Sequence, residues 1–508
     1  MKKGKGSLVK STLLITFCSL IGIAINFISQ LIIAYYFGAK FERDSYFVAN
    51  TIPVYLSAIY TGSIGILFLP KVVDILNNDP KKFSEFFSTI FWSLALISIM
   101  IGGLCVFFSS KIVGIVASGF DHQKNVFTSK ILIIIIPTFI FSILANLLSS
   151  LYQIQHKFLR PALAPIVTSI ISLLFVIILS KRIGIFGLAI GFLFGSMVSF
   201  IYLLPIVKTF KLKLYINLKS SDLLAFIKSV VPLYVGGILF RSTTIFEREI
   251  ASNLETGSIS YLGYSSQIIA ILATLTSSGI GVSIYPTLSK LWSENKLNEL
   301  KEFFNRSIRI IFLITLPVSL LIIFFGDLFI RIVFERGAFN HFVTISVSKA
   351  LAWSIGGFIF QGLGMVVAKI FYISGKTFAL TIIGCIEILI YLLVGLILSH
   401  YYSFIGLSIA LSFSSMVNIL LSVIYIKQNI LGFRFKILFK DLFKILTISL
   451  FSILFIYFIY YFIFKHENMV YLIFSLFLGF LAFILLGIKL KVEEILYLKA
   501  RFIEFRRR

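Results

Sequence analysis

Ionisable side chains inside long apolar runs are where this sequence concentrates its chemistry. The run 229–252 carries Arg241, Glu247, Arg248 and Glu249. A charge at the centre of a bilayer costs roughly 2.5–3.5 kcal/mol on insertion scales, tolerable beside a wet cavity or a partner. Arg241 and Arg248 are seven residues apart, so they share one face of a helix. Two readings are open: a cavity wall that binds anions through arginine and a cation through Glu247, or an Arg–Glu pair that fixes helix packing. Glu387 stands alone in IIGCIEILIYLL and suits a proton or Na⁺ site, or a protonated acid. Lys369 ends another run, where snorkelling to the interface is the cheaper explanation. Asp44, with Glu42 and Arg43, precedes the run 46–69, as a charge at a cavity mouth or as an exposed loop charge. Asn26 and Gln30, four residues apart, line a cavity or bond across helices.

These residues need elements to hold them. The chain has 508 residues, of which 59% are hydrophobic and 13% charged; its mean hydropathy is +1.02. Soluble domains average roughly 45–50% apolar and about 25% charged residues. Lipid must therefore solvate most of this surface. Apolar runs fall at 11–36, 46–69, 84–108, 129–152, 160–180, 184–207, 229–252, 260–285, 307–326, 343–371, 378–399, 404–426, 445–464 and 469–488. Each is long enough for a span of about 20 residues, which makes 14. The first is too long for a signal-peptide core and lacks a small-residue cleavage site, so it is expected to be an uncleaved span.

The net charge of +25 would suggest nucleic acid in a soluble protein. Here its distribution argues otherwise. With the N-terminus inside, inside segments hold 32 Lys and Arg and outside loops hold 10. The other four, Arg241, Arg248, Lys349 and Lys369, lie within spans. That bias is the positive-inside signal. It predicts both termini in the cytoplasm and a lipid bilayer, not nucleic acid, as the surrounding partner. Cys18, Cys105 and Cys385 all lie in apolar runs, so neither a disulfide nor a metal site is expected. The histidines at 122, 156, 341, 400 and 466 sit at loops or span ends and form no ligand pattern. Phosphate-loop and nucleophile-elbow motifs are missing, which argues against ATP-driven transport and against an enzyme.

The chain repeats itself. GSIGILFLPKVVDIL at 62–76 aligns with SGIGVSIYPTLSKLW at 278–292, an offset of 216. Glu85-Phe86-Phe87 recurs as Glu302-Phe303-Phe304. Gly187-Leu188, Ser196-Met197-Val198 and Lys208 recur 219 residues later as Gly406-Leu407, Ser415-Met416-Val417 and Lys427. The offset spans six helices, so both copies enter the membrane from one side, as parallel repeats do. The expected fold is an all-α integral membrane protein of 14 transmembrane helices: two parallel six-helix lobes around a central cavity, plus two C-terminal helices. The lobes are 1–213 and 214–432; the appended pair and a basic tail occupy 433–508. Between spans 8 and 9, Lys290–Arg309 reads as an amphipathic surface helix. Its counterpart Lys71–Ser88 reads either that way or as a solvated linker.

Such a chain is most simply a transporter. YYFGAKFERDSYFVANTIP with FLP at 68–70, GSISYLGYSSQ at 257–267 followed by YPTLSKL, RIVFERGAFN at 331–340 and FYISGKT at 371–377 together resemble the MurJ (MviN) lipid II flippases of the MOP superfamily. The resemblance covers nearly the whole chain in order. It implies a monomeric flippase in the bacterial inner membrane, moving an undecaprenyl-pyrophosphate-linked glycan from the cytoplasmic to the outer leaflet by alternating access. It implies a tail groove on spans 13 and 14, and drive from the membrane potential or an ion gradient. It places Glu247 at a Na⁺-binding carboxylate and Asp44 on the family's acidic residue after FGA. Where the family carries arginines in spans 1, 2 and 8, this chain reads Ile23, Ser29, Ser57-Ala58 and Gln267. Arg241, Arg248, Asp44, Lys369, Asn26 and Gln30 are the candidate substrate residues; Glu247 and Glu387 are the candidate coupling-ion residues. Rival expectations are an O-antigen or capsule-unit flippase, a small-molecule exporter coupled to H⁺ or Na⁺, and a non-transporting scaffold.

Overall fold

The computed structural model of the chain describes the backbone of residues 2–210, 212, 215–217, 228, 237–238, 241–432, 435–463 and 469–496. Within these it describes side chains outside 2–16, 19, 61–71, 77–78, 80–81, 277–283, 435–437 and 469–470. Among the described residues the regular structure is helical, without strands. Lipid offers no hydrogen bonds, so a spanning backbone must satisfy its own groups, and a helix does so within one segment. The helices are α1 Lys2–Phe37, α2 Phe41–Asn78, α3 Pro80–Phe107, α4 Ser109–Val116, α5 His122–Ile135, α6 Thr138–Ile154, α7 Leu159–Ile183, α8 Ile185–Leu203, α9 Pro205–Thr209, α10 Thr243–Ser252, α11 Ser258–Ser293, α12 Leu297–Phe334, α13 His341–Ile373, α14 Thr377–Tyr402, α15 Phe404–Ile426, α16 Phe435–Phe458 and α17 Met469–Lys489. Twelve segments among the described residues are long and apolar enough to cross a membrane. The two other expected spans, 46–69 and 229–252, include 61–69 and 229–236, which lie partly or wholly outside the described residues.

The chain forms two compact units. One comprises Met1–Gly263 with Val333–Thr344; the other comprises Tyr264–Ile332 with Ile345–Arg508. In the first unit, Val72, Phe83, Phe86, Phe87 and Phe91 of α2 and α3 are buried with Leu147, Leu148, Leu151 and Tyr152 of α6 and Ala164 of α7. The second unit has its own core of Leu288, Leu300, Phe304, Ile308, Val366, Val367, Ile370, Phe371 and Ile383. The two lists correspond at the duplication offsets. Val72 pairs with Leu288 at 216, Phe87 with Phe304 at 217, and Leu147, Leu151, Tyr152 and Ala164 with Val366, Ile370, Phe371 and Ile383 at 219. The repeat seen in polar and glycine landmarks thus extends to which apolar positions are buried.

Both surface connections are helical. α2 runs to Asn78 and α3 begins at Pro80, with Phe83, Phe86 and Phe87 buried as an i, i+3, i+4 stripe. The amphipathic reading of 71–88 therefore holds over the solvated-linker one. In 290–309, Leu300, Phe304 and Ile308 form a buried stripe at i, i+4, i+8. A bend at 294–296 breaks that segment, where the Lys296 ammonium lies 3.0 Å from Glu294 and holds its carboxyl below the usual range.

Two tight hairpins repeat most faithfully. α7 and α8 meet at Gly184 (φ 61°, ψ −139°), and α14 and α15 meet at Ser403 (φ 52°, ψ −139°). A side chain at such a positive φ is strained by about 1–2 kcal/mol. Close packing follows each turn: a Cβ at Gly187 would lie 2.9 Å from the Ser180 amide, and one at Gly406 would overlap the Leu398 carbonyl at 2.3 Å. The residue at the turn itself is glycine in one copy and serine in the other. Ser403→Gly is therefore expected to stabilise the protein by about 1 kcal/mol, and Gly184→Ser to destabilise it comparably. Thermal unfolding in nanodiscs would show this; equal midpoints for both variants would contradict it.

Candidate functional site

α2 presents Phe47, Asn50, Thr51, Val54, Tyr55 and Ala58 on one face, at helical spacing. With Arg241, Thr243, Thr244 and Arg248 they line a cavity of about 320 Å³ in the first unit. Arg241 is exposed there, whereas Arg248 is buried at 5% exposure. The two arginines expected to share a helix face do line one cavity. Arg248 donates to the Ile259 carbonyl at 3.2 Å and pairs with the Glu247 carboxylate at 3.0 Å. Its guanidinium also lies over the Phe47 ring, 5.4 Å from the centroid. Arg241 faces open space, and Arg248 with Glu247 forms a buried pair.

Beyond Phe47, α2 begins in a cluster of buried charge. Asp44 is 4% exposed, so it is not an exposed loop charge. Its carboxylate accepts from the Gly257 amide at 2.6 Å, the Ser260 amide at 2.8 Å and the Ser260 hydroxyl at 2.5 Å. The donors sit at the start of α11, where the first-turn amides have no partner within the helix and favour a negative charge. Arg43 is 1% exposed; it donates to the Gln30 amide oxygen at 3.2 Å and lies 4.2 Å from the Phe47 centroid. Nearby, α10 closes against the α4–α5 connection. The Ser118 hydroxyl donates to Glu249 at 2.9 Å, and the Gly119 amide donates to the Ser252 hydroxyl at 3.0 Å. Only glycine allows that approach, since a Cβ at 119 would meet the Ser252 carbonyl at 2.3 Å.

The other expected residues lie apart. Gln30 contributes through Arg43, and Asn26 is exposed. Lys369, in the second unit, sits half-buried over the rings of Tyr285 and Tyr372, at 5.5 and 5.8 Å. Glu387 of α14 accepts from Ser415 at 3.1 Å and Asn418 at 2.7 Å, both on α15. A carboxylate and a hydroxyl oxygen are hard donors that suit a small cation, while Asn418 presents its NH2, not its oxygen, to the carboxylate. Glu247 suits one poorly, because a cation there would face the Arg248 guanidinium. Among the described residues, no three His, Cys, Asp or Glu side chains gather as a metal site. The three cysteines are free thiols.

The model of the family described as "Lipid II flippase MurJ" matches residues 33–488 of this chain. The chain belongs to the MurJ lipid II flippase family. Its curated relatives include a probable lipid II flippase of Buchnera aphidicola subsp. Schizaphis graminum, 26% identical over 88% of this chain and 89% of that protein. The lipid II flippase of Thermosipho africanus is 25% identical over 92% and 96%. Among solved structures, a MurJ in an inward closed conformation superposes with a TM-score of 0.80 at 24% identity, over 94% of this chain and 98% of that one. An inward-facing multidrug transporter of the MATE family and MOP superfamily follows at 0.66 and 13% identity, over 80% and 94%.

Sequence reasoning missed the wall opposite Arg241. Asn50, Thr51 and Tyr55 recur at i, i+1 and i+5 inside an apolar run, a polar stripe that could have been noticed. It also missed Arg309, which the second unit holds at 9% exposure between Asp441 (2.9 Å), Glu493 (2.6 Å) and Glu494 (2.6 Å).

Proposed function

We propose that this chain is a lipid II flippase that carries an undecaprenyl-pyrophosphate-linked saccharide from the cytoplasmic to the outer leaflet by alternating access. The observation that carries the reading is the cavity holding Arg241 and Arg248. The planar guanidinium matches phosphate oxygens in bidentate fashion and stays charged at any working pH. Asn50, Thr51, Tyr55, Thr243 and Thr244 add neutral hydrogen-bonding groups suited to a polar headgroup. At about 320 Å³ the cavity is at the small end of ligand-sized sites, enough for the pyrophosphate and the first sugar. The undecaprenyl tail stays in the bilayer along α16 and α17, whose Phe451, Phe458, Phe477 and Phe480 are exposed. The Lys and Arg bias supports a bacterial inner-membrane orientation with both termini cytoplasmic, and the chain works as a monomer without chemistry on its substrate. Coupling to Na⁺ or H⁺ would be held at Glu387, with Ser415 and Asn418, rather than at Glu247.

Arg241→Gln is expected to lower flipping of lipid II in proteoliposomes about 100-fold, as loss of a charged phosphate contact of about 2.7 kcal/mol would. Wild-type rates in that variant would remove the anion site from the reading. The chain should also restore growth to a strain depleted of its own lipid II flippase. Good expression without growth would direct the reading to another lipid-linked glycan, such as an O-antigen or capsule unit.

A further inference from the structure

Arg241 is exposed in the cavity and, among the described residues, forms no hydrogen bond or ion pair within the protein. Arg248 differs, being held by the Ile259 carbonyl and Glu247. A side chain without protein partners points where its backbone directs it. The backbone at Arg241 is irregular: position 241 is helical, position 242 is a turn, and α10 begins at Thr243. In an unbroken helix the amide of residue 242 is directed at the carbonyl of residue 238. That Ile238 carbonyl accepts a hydrogen bond from the Tyr55 hydroxyl of α2 at 3.0 Å. Helices kink where a side chain enters the i to i−4 ladder, and Tyr55 meets the ladder at the turn that carries Arg241. Residues 238 and 241 are i, i+3 neighbours on one face. α2 also bears on this segment on either side of Tyr55. A Cβ at Gly237 would lie 3.9 Å from Ile59, and the Arg248 guanidinium lies 5.4 Å from the Phe47 ring centroid. These contacts run antiparallel, and of the three the Tyr55 hydrogen bond is the directional one.

We propose that Tyr55 is a positioning residue for the anion site: its hydroxyl pins the turn before Ser242 and so aims the Arg241 guanidinium into the cavity. A phenol has one O–H to donate, and here it goes to the Ile238 carbonyl. What remains on the hydroxyl is acceptor capacity, which pyrophosphate oxygens, acceptors themselves, cannot use. Tyr55 therefore acts on the anion through Arg241 and not by touching it. Orientation matters for this side chain in particular, because guanidinium binds phosphate as a planar fork, where an ammonium would act as a point charge. The span that lacks the Arg-Arg pair of the family, with Ser57 and Ala58 in its place, thus serves the anion by holding an arginine of another span.

The proposal rests on the pyrophosphate reading of the cavity, and its test separates the two. Inorganic pyrophosphate is titrated calorimetrically into the full-length chain in detergent. Tyr55→Phe keeps the ring and removes the hydroxyl; it is expected to bind about tenfold more weakly than wild type, or about 1.4 kcal/mol. In an Arg241→Gln background no guanidinium is left to aim, so adding Tyr55→Phe should change binding by less than about twofold. The same cycle is read on lipid II flipping in proteoliposomes, which decides where Arg241→Gln binds too weakly for calorimetry. There Tyr55→Phe alone should be about tenfold slower, and should slow Arg241→Gln no further. Equal losses in the two backgrounds would show that Tyr55 acts independently of Arg241 and overturn the positioning role. Wild-type affinity in Tyr55→Phe overturns it as well, leaving the cavity reading intact. No binding of pyrophosphate by wild type overturns the cavity reading and this inference with it.

Discussion

Arg309→Ala is expected to destabilise the second unit by about 3–5 kcal/mol, the usual cost of removing one partner from a buried ion pair. All three nitrogens of this guanidinium are committed: Nε to Glu494, Nη1 to Asp441 and Nη2 to Glu493. The contributions are unequal. The Glu493 side chain is 73% exposed, so its pair is screened and adds little. Glu494 is buried at 6%, and without Arg309 its carboxylate is left buried without that partner. The arginine ties α12 to the root of α16 and to the segment after α17, so its loss should free both ends of the α16–α17 hairpin. A double-mutant cycle checks the mechanism. Glu494→Gln should recover at least 1 kcal/mol in the Arg309→Ala background, though it is itself destabilising in wild type. Additive losses would mean that Arg309 acts through packing of its stem, not through the buried carboxylate.

The architecture was legible because its cause is one-dimensional. Apolar runs of about 20 residues, the Lys and Arg bias and the offset near 217 all survive in the order of the letters. The cores correspond at the same offset as the polar landmarks, since a duplicated helix keeps its buried face even when Leu147 and Tyr152 have become Val366 and Phe371. The bend at 294–296 was not legible, because nothing in the Leu, Trp and Phe spacing of 290–309 marks a break.

The site was legible in its charges and obscure in their partners. A charge within an apolar run announces itself by its cost, which is how Arg241, Arg248, Glu247 and Glu387 were found. What each charge faces depends on residues far away in the chain. Asp44 meets Gly257 and Ser260 across more than 210 positions, and Arg309 meets Glu494 across 185. Arg43 and Asp44 looked like loop charges because they precede a span. The start of α11 meets Asp44, and Gln30, Tyr46 and Phe47 lie against Arg43. Lys369 was equally visible as a charge, yet the structure gives it the rings of Tyr285 and Tyr372.

Asp44→Asn is expected to loosen the closed end of the first unit even though it changes few atoms. The carboxylate is acceptor-only, and it faces three donors: two amide N–H groups and one hydroxyl. An asparagine must turn its own NH2 toward at least one of them, leaving a buried amide unpaired at a cost of about 1–3 kcal/mol. It also removes the negative charge from the start of α11, which helps hold it. A loss of about 2 kcal/mol corresponds to roughly a thirtyfold shift in the closed-to-open ratio, at 1.4 kcal/mol per tenfold. Thiol labelling reads that shift. In a chain with Cys18, Cys105 and Cys385 replaced by alanine, a Thr51→Cys thiol on the cavity wall should react slowly with an impermeant maleimide applied from the outer side. Adding Asp44→Asn should raise its rate at least tenfold, and Asp44→Glu should raise it too, because the longer side chain cannot keep both amides in reach. Labelling unchanged by Asp44→Asn would show that the Asp44 contacts do not hold this end shut, and would place the seal on the Ser118–Glu249 and Gly119–Ser252 contacts instead.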